Sequence, residues 1–246
     1  MKTPKMILFD YGHTLLYEPA FDFLRGERTL TPYITQNRSQ LSPEQINDFA
    51  NTLYIQAASG RKCGVELHER QFQRMVYESL GITFSIGFEE IELIKWNAAS
   101  PGAMVPQADM ILDCINRCGI RSGVISNIGW SEHALTDRFN RLLPRHRFEF
   151  IIASSEYGFR KPSHYLFELA LGKAGLSPED VWFCGDNPQA DIEGAAQVGM
   201  YPVWYDNPAL GADTECRHQS PPACEHLHIQ AWDELIRVLE ALNKQA

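Results

Sequence analysis

The chain has 246 residues, 44% hydrophobic and 22% charged, with 31 acidic against 22 basic side chains and a formal charge of -9 at pH 7. That is the composition of an ordinary globular protein, long enough for one α/β domain or for one core carrying an insertion. The acidic balance opposes nonspecific binding to nucleic acid or anionic membrane, yet leaves room for one basic pocket that holds a phosphate.

The first apolar run is too short for a signal peptide and lacks a small-residue cleavage pattern, and no stretch is long enough to span a bilayer. The cytoplasm is therefore the expected compartment. Six cysteines (Cys63, Cys114, Cys118, Cys184, Cys216, Cys224) are scattered through a chain that does not need staples, and they read as mostly reduced and structural.

In chain order, Met6 to Phe9 is a brief apolar run that suits a buried strand. Asp10 stands at its end, where open α/β sheets place their reactive groups. Asp-x-Gly also favours turns, so the segment alone leaves Asp10 as either a reactive carboxylate or a turn cap. From about residue 17 to 98 the period becomes helical. Pro19 to Pro32 is aromatic and irregular and reads as a lid, a linker or a plain surface loop. Ser42, Pro43 and Gln45 then form an N-terminal capping signature ahead of Ile46, Phe49, Leu53 and Ala57 at helical spacing. Two further amphipathic stretches run from about Glu66 to Leu80 and from Phe88 to Asn97.

From Pro101 helices and strands alternate. Helices are predicted over PQADMILDCINRCG, SEHALTDRFNRLL, PSHYLFELALGKAG and ADIEGAAQVG, and strands over RSGVISN, FEFIIASS, DVWFCGD and YPVWY. This order predicts an α/β fold: a three-layer, Rossmann-like core with a mostly parallel sheet, formed by residues 1–16 and 99–246, with an all-helical cap, residues 17–98, inserted after the first strand.

Such a sheet brings Asp10, Ser126, Lys161, Asp186 and Asp191 to one edge. Each has a plain explanation alone: a turn at Ser126, a solvated Lys161 before Pro162, a loop amide satisfied by Asp186, a helix-start charge at Asp191. Together they predict a magnesium and phosphate site.

The segments FDYGHTL, ISN, RKP and GDNPQADIEGA, in this order, resemble the haloacid dehalogenase superfamily, in its magnesium-dependent phosphatase-like branch with a helical cap after the first motif. The resemblance implies a hydrolase of a small phosphorylated metabolite in which Asp10 forms an aspartyl-phosphate intermediate. It implies that Ser126, Asn127 and Lys161 hold phosphoryl oxygens, and that Asp10, the carbonyl of Gly12 and Asp186 surround Mg2+. Asp191 would bind the metal or support Lys161, and Thr14 would steady the loop.

One position departs from that family. The residue two beyond the nucleophile is usually a second aspartate acting as acid and base, and here it is Gly12. Its loss removes proton transfers typically worth ~10²- to 10⁴-fold in rate, most severely for alkyl phosphates whose leaving groups need a proton. His13 is the nearest replacement, with Glu132 and His133 as weaker ones. Members without the second aspartate include phosphonate-cleaving enzymes with a cap lysine, for which Lys62 and Lys95 are available, and dehalogenases that need no metal, which the two aspartates of GDNPQAD disfavour. A phosphate-binding or regulatory protein on the same scaffold is a further alternative.

Cys216, His218, Cys224, His226 and His228 lie close together, but not at the spacings of common zinc sites, and read as a loop. No glycine-rich nucleotide loop, dinucleotide fingerprint or repeat is present. Tyr17, Phe21, Phe23 and Tyr33 are aromatic candidates for shaping the substrate pocket or packing the cap. Neither nucleic acid nor membrane is expected as a partner, and monomer and homodimer both remain open.

Overall fold

Six parallel strands form one sheet in the spatial order Leu227–Ile229, Tyr201–Tyr205, Val181–Gly185, Met6–Phe9, Arg121–Ser126, Phe148–Ala153. They belong to a computed structural model that describes residues 1–210 and 220–244. The first strand is wholly buried because both faces of the sheet are covered, which is why it reads as an unbroken apolar run. Its side chains alternate between the faces. Ile7 and Phe9 pack among helices Ala108–Arg117, Glu132–Leu142 and Trp232–Asn243, whereas Met6 and Leu8 pack against helix His164–Ala174. Each apolar side chain fully buried this way contributes about 1.5–3 kcal/mol.

The chain leaves Met6–Phe9 in one direction for Arg121–Ser126 and later returns to its other side with Val181–Gly185. The first strand therefore sits at the topological switch point, where the connections diverge and open a crevice beyond the strand ends. Its register carries the site: Phe9 pairs with Val124 and Cys184, so Asp10 comes level with Ile125 and Gly185.

Between these strands the chain makes helices Phe23–Leu30, Pro43–Ala57, Glu69–Ser79 and Phe88–Ala99, with their own apolar cluster around Leu30, Ile46, Phe72, Val76 and Ile91. The capping box forms as predicted, with Ser42 and Gln45 each satisfying the other's backbone N–H.

Two features differ from the expectation. The stretch read as a lid or loop contains helix Phe23–Leu30, capped by the Asp22 side chain. The insertion also is not wholly helical, since Ile34–Asn37 pairs antiparallel with Ile82–Phe84. Gly26 weakened the helical signal, yet packing demands it: a Cβ there would come within 2.9 Å of Lys95 Cγ and 3.0 Å of the Lys95 carbonyl. The ribbon joins strands distant in sequence, so no local hairpin signal marks it.

Where the insertion meets the sheet, Leu16–Tyr17 pairs with Ala103–Met104. Arg138, fully buried, ties the two crossings together. Its Nη1 donates to Tyr11 Oη at 3.2 Å and to Glu18 at 2.9 Å, its Nη2 donates to the Ser100 carbonyl, and its guanidinium stacks 3.4 Å over the Trp96 ring. Among the described residues no helix is long and apolar enough to cross a membrane.

Candidate active site

Asp10 ends the first strand, its N–H donating to the Cys184 carbonyl at 2.8 Å. Lys161 arrives from the segment after Phe148–Ala153 and is 4% exposed. Its ammonium lies 2.6 Å from Asp10 Oδ1 and 2.6 Å from Asp191 Oδ1, and donates to the Ile125 carbonyl at 2.8 Å. Burial would lower this ammonium's pKa, but Asp10 and Asp191 outweigh it and hold the group above its usual range, so it is a fixed positive charge.

Asn127 explains how the lysine is aimed. Its Oδ1 accepts from Lys161 N at 2.7 Å and its Nδ2 donates to the Lys161 carbonyl at 2.9 Å. The side chain expected to hold phosphate is thus committed to the backbone of the lysine.

Asp186 follows strand Val181–Gly185, and Asp191 lies on a wide π-type turn, Pro188–Glu193, that opens the helix predicted there. Asn187 caps this turn through Gln189 N and Ala190 N, while Asn187 N donates to Asp191 Oδ2 at 3.0 Å. Gly185 makes the approach possible: a Cβ would fall 2.3 Å from Asp191 Oδ2. The glycine of GDNPQAD is thereby accounted for by the aspartate six residues later.

Asp10, Asp186 and Asp191 offer oxygens that all lie within 4.8 Å of one another. One lysine faces three carboxylates. Burial, then the neighbouring Asp191 and Asp10, push Asp186 well above the usual carboxylate range, and burial raises Asp191 to about 6 against the pull of Lys161. Surplus negative charge on clustered oxygens is the donor set that suits a hard divalent cation.

Ser126, 2% exposed, closes strand Arg121–Ser126 and lines the same cleft, a cavity of about 460 Å³ that also takes in Gly12, His13, Asn127 and Asp186. His13 adopts a left-handed backbone with φ 53°. Thr14 is fully buried, and its hydroxyl makes no hydrogen bond among the described residues. Phe21 and Phe23 line the cleft with ring centroids 4.4 Å apart, whereas Tyr17 and Tyr33 do not line it. Glu132 and His133 also lie outside it, and His133 sits 3.8 Å from Glu89.

Of the two insertion lysines, Lys62 is exposed and away from the cleft. Lys95 lines it but is buried and ion-paired with Glu27; burial would lower its pKa, while Tyr77, Glu27 and Glu69 overcome that and hold it above its usual range. Cys216 and His218 lie outside the described residues. Cys224 is a free thiol, and His228 stacks on Trp204 at 4.4 Å with Nε2 3.3 Å from Asp206.

Arg61, Glu66 and Arg160 also line the cleft; Arg160 opens the RKP segment, whereas no motif marks the other two. Glu66 N donates to the Gly158 carbonyl and Arg160 N to the Gly64 carbonyl, each at 2.9 Å, which joins the insertion to the loop leading into Lys161.

A glyceraldehyde 3-phosphate phosphatase of Methanothermobacter thermautotrophicus is 25% identical over 216 residues, covering 86% of this chain and 89% of that one. A phosphoserine phosphatase of Thermus thermophilus is 40% identical over 70 residues, 28% of each chain, so little of its length is spanned. Among solved structures, a HAD phosphatase from Thermococcus onnurineus superposes with a TM-score of 0.62 at 17% identity, covering 97% of this chain and 98% of that one. A 2-haloacid dehalogenase from Pseudomonas syringae also scores 0.62, at 19% identity over 98% and 99%. At those identities the structures speak for the fold alone. The family model for haloacid dehalogenase-like hydrolases matches residues 36–204, well over half of the chain, and with the strand-end carboxylates and lysine in the expected order, this protein belongs to that family.

Proposed function

We propose that the protein is a magnesium-dependent phosphohydrolase of a small phosphorylated metabolite, acting through an aspartyl-phosphate at Asp10. The observation that carries this reading is the pairing of a fixed Lys161 charge with Asp10 Oδ1 beside a surplus of carboxylate oxygens. The phosphatase names of the two sequence relatives support it.

Asp10 attacks phosphorus with the oxygen not held by Lys161, and the bond to the leaving oxygen breaks. Water then attacks the aspartyl-phosphate, releasing phosphate and restoring the carboxylate. Lys161 neutralises the oxygens whose charge is spread in this transfer, and Ser126, which lines the same cleft, donates a hydrogen bond to them. Asp10, Asp186 and Asp191, with the Gly12 carbonyl, would hold magnesium, which supplies charge neutralisation between the anionic nucleophile and the anionic substrate. Asn127 serves by positioning Lys161 rather than by touching phosphate through its side chain.

With Gly12 in place of an acid, the leaving group must depart with less proton assistance, so aryl and acyl phosphates are turned over faster than alkyl ones. The phosphonate alternative is disfavoured because a Schiff base requires a neutral amine, and the partners of Lys95 keep it charged.

The test is magnesium-dependent turnover of a panel of aryl, acyl, sugar and nucleotide phosphates and a phosphonate, with Asp10→Asn in parallel. Activity needing both magnesium and Asp10 is the expected result. Phosphate binding without any turnover would move the reading to a binding or regulatory protein.

A further inference from the structure

We infer that the cleft carries a second anion site, built by Arg61 of the insertion and Arg160 of the sheet side, and that the substrate bears a carboxylate or second phosphate besides the phosphoryl group transferred. The inference rests on the phosphohydrolase reading and narrows its substrate class.

The centre of the site is Glu66, whose side chain is completely buried. Its Oε1 accepts from Leu67 N at 3.1 Å and lies 3.0 Å from Arg61 Nε, while its Oε2 accepts from Ser154 Oγ at 2.8 Å and from Arg160 Nη1. Arg61 Nη1 donates in addition to Tyr54 Oη at 2.6 Å. Two guanidiniums therefore share one carboxylate, which leaves a surplus positive charge and spare donors on both forks. Guanidinium is always charged in a protein and matches the planar or trigonal oxygens of carboxylate and phosphate. Burial lowers the pKa of Arg160, and the neighbouring Arg61 charge adds to this against the opposing pull of Glu66, as expected where two cations share one counter-charge.

Among the described residues neither arginine is ion-paired with any carboxylate but Glu66, and Asp10 and Asp191 are paired with Lys161. Glu18 is paired with Arg138, and burial holds Glu69 above the usual carboxylate range. Glu66 also does what a substrate anion cannot do for itself, since it fixes both forks in advance and lowers the ordering cost of binding.

The placement ties recognition to chemistry. Arg160 precedes Lys161, and both arginines line the same cavity as Asp10. The paired backbone bonds between Gly64–Glu66 and Gly158–Arg160 run beside them, so an anion held there spans the insertion and the loop that delivers Lys161.

Two matched pairs of probes test this: phosphoserine against phosphoethanolamine, which differ by a carboxylate, and fructose bisphosphate against fructose monophosphate, which differ by a phosphate. The readout is the ratio of kcat/KM within each pair, for the full chain, for Arg61→Gln and for Arg160→Lys, the last keeping charge while losing the fork. The expected result is at least a tenfold preference for the second anion in one pair, whichever it is, collapsing toward unity in both variants. No preference in either pair, or a preference that survives both substitutions, overturns the inference. Binding of the same pairs to Asp10→Asn, alone and combined with each arginine substitution, by calorimetry separates the two readings: absence of turnover by the unsubstituted protein ends the phosphohydrolase reading, while anion-selective binding lost with the arginines sustains the second site, and unselective binding ends it.

Discussion

Two buried lysines line one cleft and are treated oppositely by the fold. Lys95, inside the insertion, pairs with Glu27, and Tyr77 Oη donates to the same carboxylate at 2.9 Å, so its charge is matched where it stands. Lys161, at the sheet edge, faces Asp10 and Asp191 with Asp186 close by, and the carboxylates outnumber it. A balanced buried pair holds a structure together, whereas a surplus kept at some cost in stability waits for a ligand. Burial and ion pairing alone do not separate the two; the arithmetic of charge does.

The sharpest way to break the contrast is to delete each ammonium. Lys161→Met should lower magnesium-dependent turnover of an aryl phosphate by at least about 10³-fold while leaving the circular dichroism spectrum of the folded protein in place, because phosphoryl charge loses its fixed counter-charge. Retention of a tenth of the activity would contradict the assigned role. Lys95→Met should act on stability instead, costing about 3–5 kcal/mol in urea unfolding because Glu27 is left buried and unpaired. Combining it with Glu27→Leu should restore most of that loss. If the single change costs under about 1 kcal/mol, as an exposed pair would, the insertion pair is not structural.

Much of the site was legible because strand ends can be read from short apolar runs followed by polar residues. Asp10, Ser126, Lys161, Asp186 and Asp191 all come from such positions or the loops just beyond them. Asn127 was legible as a site residue but not in its action, since its use of both amide atoms on the Lys161 backbone depends on two loops meeting. Arg160 stands in the RKP segment, but its partnership with Arg61 and Glu66 was not legible: the three are joined by an isolated bridge between Val65 and Phe159, a contact of tertiary packing with no local pattern. Helix Phe23–Leu30 was hidden by the glycine that lets it pack.

The two regions should also answer differently to added atoms. At Gly12 a Cβ would meet only Asp10 Oδ2, at 3.8 Å, and the backbone there needs no left-handed conformation. Gly12→Asp should therefore fold and supply the missing acid, raising kcat for alkyl phosphates by ~10²-fold or more and for aryl phosphates by less. Equal change in both classes would mean that proton transfer to the leaving group does not limit the native enzyme, and that His13 or water already serves.

In the insertion even one methyl group should be rejected. Alanine stabilises an exposed helix interior over glycine by about 1 kcal/mol, so Gly172→Ala, in helix His164–Ala174 with nothing within 4 Å of the added Cβ, should raise the urea midpoint. Gly26→Ala has the same helical gain available but drives its Cβ against the Lys95 stem and backbone carbonyl, and overpacking of this kind costs about 1–3 kcal/mol. The carbonyl cannot swing aside as a side chain can, because it belongs to helix Phe88–Ala99. The net sign should thus be destabilising at residue 26 and stabilising at residue 172. Should both substitutions stabilise, the two helices can move apart at little cost, and the Glu27–Lys95 pair that their close approach brings together would lose the rigidity that distinguishes it from the charge-rich centre at Lys161.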